Sequence, residues 1–355
     1  PISAQLFRKN EGRHLRRLAL CRRLVFQSLL GIKEFDSEAQ RLYEERARLV
    51  FRNLELFAEH RGQSLEARLA GADAAWRPLP PTDKDGRVEA SLWFSDEEVT
   101  WAARRLETPI GSLRIETRLA PTATPDGGAG ADAVPVADLV VPLVGAAGLT
   151  VVSDIDDTVK VTEVFHGVPQ VLQNTFLRKF RSVDGMPDLY REWATRYGAS
   201  FEFVSKSPPE LHEPIRAFLE EEGFPMASVH LCSLWSPERG AFKARRIEAL
   251  LSGFPDRQFV LVGDSGERDP HIYADLARRH PDRIAKVLIR QVTGRHAVDP
   301  SLFAGIAADK WQVFEHPADV DLGLPDQPAV PVALDLMSVL PGALAGAMRL
   351  PAWTR

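Results

Sequence analysis

From about residue 147 onward, short β-branched apolar runs alternate with helical stretches, and three of those runs end in a loop carrying an acid or a hydroxyl. Leu149 to Ser153, Ser200 to Val204, Gln258 to Val262 and Ile284 to Ile289 read as strands. Pro187 to Tyr197, Pro208 to Glu222, Phe242 to Leu251 and Pro270 to Arg279 read as helices; the prolines that open the second and the Gly223 that follows it are start and stop signals. Strands that alternate with helices form a parallel sheet covered on both faces. The expected fold class is therefore α/β, with a Rossmann-like parallel sheet. In such sheets a ligand sits beyond the carboxyl ends of the strands, which is where the three polar loops begin.

The first loop is Ser153-Asp154-Ile155-Asp156-Asp157-Thr158. With a side-chain period of two, Asp154 and Asp156 face one way and Asp157 the other. Two such carboxylates suit a nucleophile with a proton carrier, and equally a hard cation. The second loop, Ser205-Lys206-Ser207-Pro208, offers a hydroxyl that either helps bind an anion or caps the helix behind it. The third, Gly263-Asp264-Ser265-Gly266-Glu267-Arg268-Asp269, either completes an oxygen-ligand cation site or makes Asx-turns. Lys243, near the start of its helix about twenty residues earlier, is either a surface lysine or the cation that offsets these acids.

In this order and placement the motifs resemble the haloacid dehalogenase superfamily of aspartate-nucleophile phosphatases. Ser153 to Glu163, Val204 to Pro208 and Val262 to Tyr273 look like one branch, the actin-patch-associated phosphatidate phosphatase family and its bacterial relatives. The resemblance covers roughly residues 149–292, and Gly263-Asp264-Ser265-Gly266-Glu267 with Asp269 is its most specific part. It implies that Asp154 attacks phosphorus to form an aspartyl-phosphate. Asp156 would protonate the leaving oxygen and then deprotonate the hydrolytic water. Thr158 would set the loop, and Ser205 and Lys243 would hold the phosphoryl oxygens. Magnesium would be held by Asp154, the backbone carbonyl of Asp156 and Asp264, with Asp269 in support. Where the family has Ser-Asn-Ser-Pro-Trp, this chain has Ser205-Lys206-Ser207-Pro208-Pro209, which alters local substrate contacts.

Residues 159–200 are too long for a single crossover helix, so part of them is expected to roof the site. Lys160, His166, Arg178, Lys179 and Arg181 lie there beside Val164, Phe165, Val171, Leu172, Phe176 and Leu177. This is either a rim for an anionic headgroup on an acyl body or a packed helix with a solvated basic face. Lys160 and Arg178, with Lys206, are the expected substrate contacts. The resemblance implies a magnesium-dependent phosphoric monoester hydrolase taking phosphatidate to diacylglycerol. The alternatives are a phosphatase of small soluble phosphomonoesters and a non-catalytic lipid-binding or scaffold protein. The intact acid–hydroxyl–lysine–acid set argues against the last.

The 355 residues are enough for two domains. Upstream of the α/β region, Arg87 to Phe94, Ser112 to Leu119 and Ala137 to Val144 read as short strands, the first following an Asp85-Gly86 turn; a flexible loop runs from Pro121 to Gly130. They point to a small β-sandwich-like module. The cluster around Asp83 lacks the later ligands of a calcium loop and reads as a turn. Ser37 to Val50 is an expected helix with Ser37 as its cap. The boundaries expected are 1–49 for a basic helical segment, 50–146 for the β-rich module, 147–316 for the phosphatase-like domain and 317–355 for a Pro-rich tail with a C-terminal helix. Within that tail, Ala333 to Arg349 reads as either a docking helix or an interfacial one, with docking the favoured expectation.

The formal net charge of −5 hides a +6 segment over residues 1–30, which leaves −11 for the rest. That segment mixes Arg8, Lys9, Arg13, Arg16, Arg17, Arg22 and Arg23 with leucines. It reads as an amphipathic helix that either packs on the neighbouring domain or lies on an anionic membrane surface. Its arginines interrupt every apolar run, so a secretory signal is not expected. The chain begins at Pro1 rather than Met, and a few further native residues are expected ahead of it. The mildly acidic total argues against nucleic acid as a partner. Cys21 and Cys232 lie far apart and make no metal spacing, so a reducing cytoplasm is expected, with at most peripheral membrane contact.

Overall fold

The computed structural model describes residues 2–5, 34–56, 62–70, 75–83, 87–104, 111–121, 135–234 and 236–326. The basic segment at 6–33, the turn at 84–86, the loop at 122–134 and the C-terminal stretch at 327–355 lie outside the described residues, and so do the readings that fall on them.

In chain order the elements are β1 (Ile2–Gln5), α1 (Ser37–Leu56), β2 (Leu65–Leu69), β3 (Arg77–Pro78), β4 (Arg87–Ala90), α2 (Asp96–Arg104), β5 (Ser112–Leu119) and β6 (Pro135–Pro142). The α/β region follows with β7 (Ala147–Ser153), α3 (Val168–Phe176), α4 (Met186–Tyr197), β8 (Ser200–Ser205), α5 (His212–Glu221) and β9 (Ala227–Leu231). It closes with α6 (Phe242–Gly253), β10 (Asp256–Asp264), α7 (Asp269–Arg279), β11 (Ile284–Arg290) and β12 (Trp311–Phe314).

The last six strands form one parallel sheet in the order β12-β11-β10-β7-β8-β9. From β7 the chain winds outward through β8 and β9, then returns to β10 on the other side of β7. The loops after β7 and β10 therefore leave the sheet at the point where the winding reverses, and a crevice opens there. Residues 149–153 of β7 and 259–264 of β10 are buried throughout, as strands covered on both faces must be. One apolar layer packs Trp193, Tyr190, Phe201 and Phe203 on one face; the other packs Ile247, Leu276 and Val287 on the opposite face.

Each strand and helix expected in this region is present, with ends shifted by a few residues. The expected helix from Pro208 begins instead as a 3-10 turn over Pro209–Leu211 and becomes α-helical at His212. It stops at Gly223, whose φ of 75° is the left-handed geometry that lets the chain turn off a helix. The edge strands β9 and β12 were not anticipated. In β9, Ala227, Val229 and Leu231 pack on the core while Ser228 and His230 pair with Glu202, an alternation too short to stand out.

Upstream, β3-β2-β5-β6 form a four-stranded antiparallel sheet, and β1 pairs antiparallel with β4. Val88 of β4 shares one core with Leu65, Leu69, Leu113 and Ile115. The expected strand 87–94 ends at Ala90, yet Leu92 and Phe94 still face that core. The next residues fold as α2 because Ser95 and Glu98 make a capping box: the Glu98 carboxylate accepts from Ser95 N at 2.7 Å and the Ser95 hydroxyl from Glu98 N at 3.2 Å.

Helix α1 runs to Leu56 because no glycine or proline interrupts its helix formers. It packs Tyr43 and Ala47 against Leu172, Phe176 and Leu177 of the segment between β7 and β8. The Arg46 guanidinium donates to the carbonyls of Thr175 (2.6 Å) and Arg178 (2.7 Å) and stacks over Phe180. Leu172, Phe176 and Leu177 are thus engaged by α1, which realises the packed-helix reading of this segment, while Arg178, Lys179 and Arg181 keep its solvated basic face.

Candidate active site

Asp154 is the first residue beyond β7 and is held to the neighbouring strand by its N–H, which donates to Val262 O at 2.8 Å. Its Oδ1 lies 2.7 Å from Lys243 Nζ, and its Oδ2 accepts from Thr158 Oγ1 at 3.2 Å. Lys243, in the first turn of α6, is 1% exposed and reaches Asp269 Oδ1 at 2.7 Å as well. Asp264 closes β10 and Asp269 opens α7, so the topology alone brings three carboxylates to one crevice. Asp154, Asp264 and Asp269 each present an oxygen within 4.8 Å of the others. Gly263 is needed for this approach: a Cβ there would stand 2.5 Å from Asp269 Oδ2 and 2.7 Å from the Tyr273 ring.

The electrostatics are those of an acidic pocket short of positive charge. Burial first, then repulsion from Asp269 and Asp264 that Lys243 only partly offsets, pushes the Asp154 carboxyl well above the usual range. Burial and Asp269 push Asp264 up to about 8, and burial raises Asp269 too. Burial works against the Lys243 charge, but Asp154 and Asp269 prevail and hold its ammonium well above the ordinary value.

Asp264 Oδ2 and Asp269 Oδ2 are buried and have no hydrogen-bond partner. Asp264 Oδ1, in contrast, accepts from the N–H groups of Gly266 (2.5 Å) and Glu267 (3.2 Å). The Asx-turn reading of the third loop is thus met by one oxygen of Asp264, and the other oxygen is left over. Orphaned, crowded carboxylate oxygens of this kind are the donor set of a hard divalent cation, and Asp154, Asp264 and Asp269 fit one.

Asp156 does not join that cluster. Its carboxylate turns to Lys160 Nζ (2.8 Å) and accepts from the hydroxyls of Thr162 (2.7 Å), Ser205 (2.9 Å) and Ser207 (2.9 Å). Burial opposes its charge, but Lys160 and the Thr162 and Ser207 hydroxyls outweigh it and hold Asp156 well below the usual carboxylate range. Lys160 is buried on Asp156 and under the Phe180 ring. Asp157, at φ 57°, accepts backbone N–H groups from Thr162, Glu163 and Val164 and folds the loop back on itself. Arg290, at the end of β11, supports it by donating to the Asp157 carbonyl at 2.8 Å.

Lys206 stands at the mouth, 2.9 Å from Glu267 Oε2. Arg178 is exposed and donates to Asn174 Oδ1, and Asn174 in turn donates to Thr162 O. Thr162, Ser207, Glu267 and Arg290 were not singled out from the sequence. Ser207 and Glu267 lie inside the motifs already read, two residues from Ser205 and Asp269 respectively, and that proximity was the available signal. No helix among the described residues is long and apolar enough to cross a membrane. Cys232, the cysteine among the described residues, is buried, and its thiol faces the Ser233 carbonyl at 3.6 Å.

Residues 149–291 match the family model of the phosphatidate phosphatase APP1 catalytic domain. Over 161 residues the chain is 34% identical to an uncharacterized protein of Schizosaccharomyces pombe, covering 43% of this chain and 26% of that one. Over 152 residues it is 30% identical to phosphatidate phosphatase APP1 of Saccharomyces cerevisiae, covering 40% of this chain and 26% of that one. The match thus spans about a quarter of the length of either relative. Its extent coincides with the sheet from β7 to β11 and encloses every side chain of the acidic pocket, so it is this α/β region that is similar to the APP1 catalytic domain.

Proposed function

We propose that the chain is a magnesium-dependent phosphoric monoester hydrolase that converts phosphatidate to diacylglycerol through an aspartyl-phosphate, with a haloacid dehalogenase-like fold. The observation that carries this reading is the buried set of Asp154, Asp264 and Asp269 around Lys243, two of whose oxygens have no partner. The lipid substrate rests on the likeness to phosphatidate phosphatase APP1.

Asp154, Asp264 and Asp269 would hold the magnesium ion, joined in the family's manner by the backbone carbonyl of Asp156. Bound there, it would offset the surplus negative charge and withdraw electron density from the phosphoryl oxygens. Thr158 orients Asp154 through its hydrogen bond to Oδ2, leaving the carboxylate to attack phosphorus. The P–O bond to the leaving group breaks, and Asp156 delivers a proton to the departing oxygen. Water then attacks the aspartyl-phosphate while Asp156 accepts its proton, and phosphate and the Asp154 carboxylate are released. Lys243, fixed between two carboxylates, faces the phosphoryl oxygens as charge builds on them. Asp156 is held as a carboxylate by Lys160 and three hydroxyls, the form needed in the second half-reaction. In the first half Asp156 has to enter protonated, which requires substrate binding to loosen its ion pair with Lys160 and its bonds from Thr162 and Ser207.

Phosphate release from phosphatidate in mixed micelles, with and without magnesium, tests the reading against a panel of soluble phosphomonoesters. Magnesium-dependent release from the lipid, exceeding that from every soluble ester, is the expected outcome. Release confined to soluble esters would overturn the lipid substrate, and liposome binding without any release would overturn catalysis.

A further inference from the structure

We propose that Glu267 is a positioning residue that holds Lys206 across the mouth of the phosphoryl site, so that Lys206 gives an anionic substrate a second cationic contact. The inference rests on the phosphatase reading above and deepens it. One carboxylate oxygen, Glu267 Oε2, faces two ammonium groups, at 2.9 Å from Lys206 Nζ and 3.6 Å from Lys243 Nζ. Lys243 is already engaged at 2.7 Å by both Asp154 and Asp269, so Glu267 is not needed to neutralise it. An additional acid beside a site for a dianion is unfavourable unless it serves a nearby cation. Lys206 is that cation.

The pair grades from the interior to the surface. Lys243 is sealed, whereas the Lys206 and Glu267 side chains are 21% and 24% exposed. Each is anchored from a different catalytic loop. Lys206 sits between Ser205 and Ser207, whose hydroxyls both hold Asp156. Glu267 is fixed by its own N–H, which donates to Asp264 Oδ1 at 3.2 Å. A lysine on an unsupported loop spreads over many rotamers and loses side-chain entropy when it is ordered. Glu267 removes that cost before substrate arrives. An ammonium carries three N–H donors, so Lys206 can keep its bond to Glu267 and still offer two to phosphate oxygens.

The test is a double-mutant cycle in the full chain with Lys206→Met, Glu267→Gln and both together, and with Lys206→Arg as the conservative variant. The readouts are KM and kcat for phosphatidate micelles and a soluble phosphomonoester, and the affinity for inorganic phosphate by calorimetry. Lys206→Met is expected to weaken KM and phosphate affinity by about tenfold, more than it lowers kcat. Glu267→Gln is expected to weaken both by about threefold to tenfold, the double variant to be no worse than Lys206→Met alone, and Lys206→Arg to restore most of the loss. Should Glu267→Gln fail to fold, Glu267→Asp, which cannot span the gap, replaces it with the same expected shift. Additive losses, or a Glu267 effect confined to kcat, would overturn the inference. Calorimetry separates the two readings: a chain that hydrolyses neither substrate overturns the phosphatase reading, while the phosphate cycle still reports whether Lys206 and Glu267 act together.

Discussion

Two buried cations sit at opposite ends of the same strand pair, and they are buried in opposite ways. At the amino end of β10, Arg257 is 3% exposed and surrounded by neutral acceptors: Thr150 Oγ1 at 2.7 Å, the carbonyls of Gly145, Ala147 and Leu149, and Ser200 Oγ at 3.0 Å. At the carboxyl end, Lys243 meets carboxylates instead, more of them than it can neutralise, and two of their oxygens are left without partners. Burial pulls Arg257 down to about 10, and the nearby Glu202 charge offsets this only in part. Lys243 is driven the other way by its acids. The first arrangement is complete as it stands and ties the linker before β7 to the sheet. The second is incomplete, and an incomplete buried polar cluster marks a place where something binds.

The difference predicts opposite responses to substitution. Asp154→Asn has the largest expected effect. An amide does not attack phosphorus, so turnover of phosphatidate should fall on the order of 10³-fold or more. The same change removes one of the crowded acids, and the melting temperature in EDTA should stay level or rise, as strained functional sites allow. A variant that melted well below the wild type would place Asp154 with the structural cluster at Arg257 instead. Arg257→Met is the converse. It deletes five donated hydrogen bonds and leaves buried carbonyls and hydroxyls unmet, which should cost about 2–4 kcal/mol in denaturant unfolding. Turnover per folded molecule should be unchanged, and a kinetic defect in folded Arg257→Met would break the comparison.

The two cations also differ in how legible they were. Lys243 was readable because it fell in order among Asp154, Ser205 and Asp264, each set at the end of an apolar run. Arg257 was not, because most of its partners are backbone carbonyls from residues 145–149, and nothing in a side-chain pattern marks a carbonyl. The same physics explains other gaps. Asp157 acts through three backbone N–H groups and Arg290 through the Asp157 carbonyl, contacts that only the folded loop creates. The helix from Asp96, by contrast, was written plainly in Ser95 and Glu98, a capping box overridden in reading by the alternation that precedes it. The parallel sheet emerged from sequence because buried strands are uninterrupted apolar runs. The edge strands β9 and β12, short and half-polar, carry no such signal.

A smaller effect separates the clusters by pH. In the metal-free protein Asp264 titrates near 8 and Asp154 and Asp269 are raised too, so the folded state keeps protons that an unfolded chain releases near its ordinary value of about 4. Stability that is full below that value is therefore lost as pH rises towards 8. A divalent cation has to displace the same protons, so its affinity should climb across that interval, by up to about tenfold per pH unit for each proton displaced. Melting curves in EDTA and in magnesium at pH 5.5, 7 and 8.5 read both trends. The EDTA melting temperature should fall with pH while the rise on adding magnesium grows. Arg257→Met should lower every curve without changing that spread, because its hydrogen-bond partners are carbonyls and hydroxyls remote from the acidic pocket. A magnesium-induced rise of equal size at all three pH values would mean that the metal binds elsewhere than at Asp154, Asp264 and Asp269, and that the unpaired oxygens beside Lys243 are not its ligands.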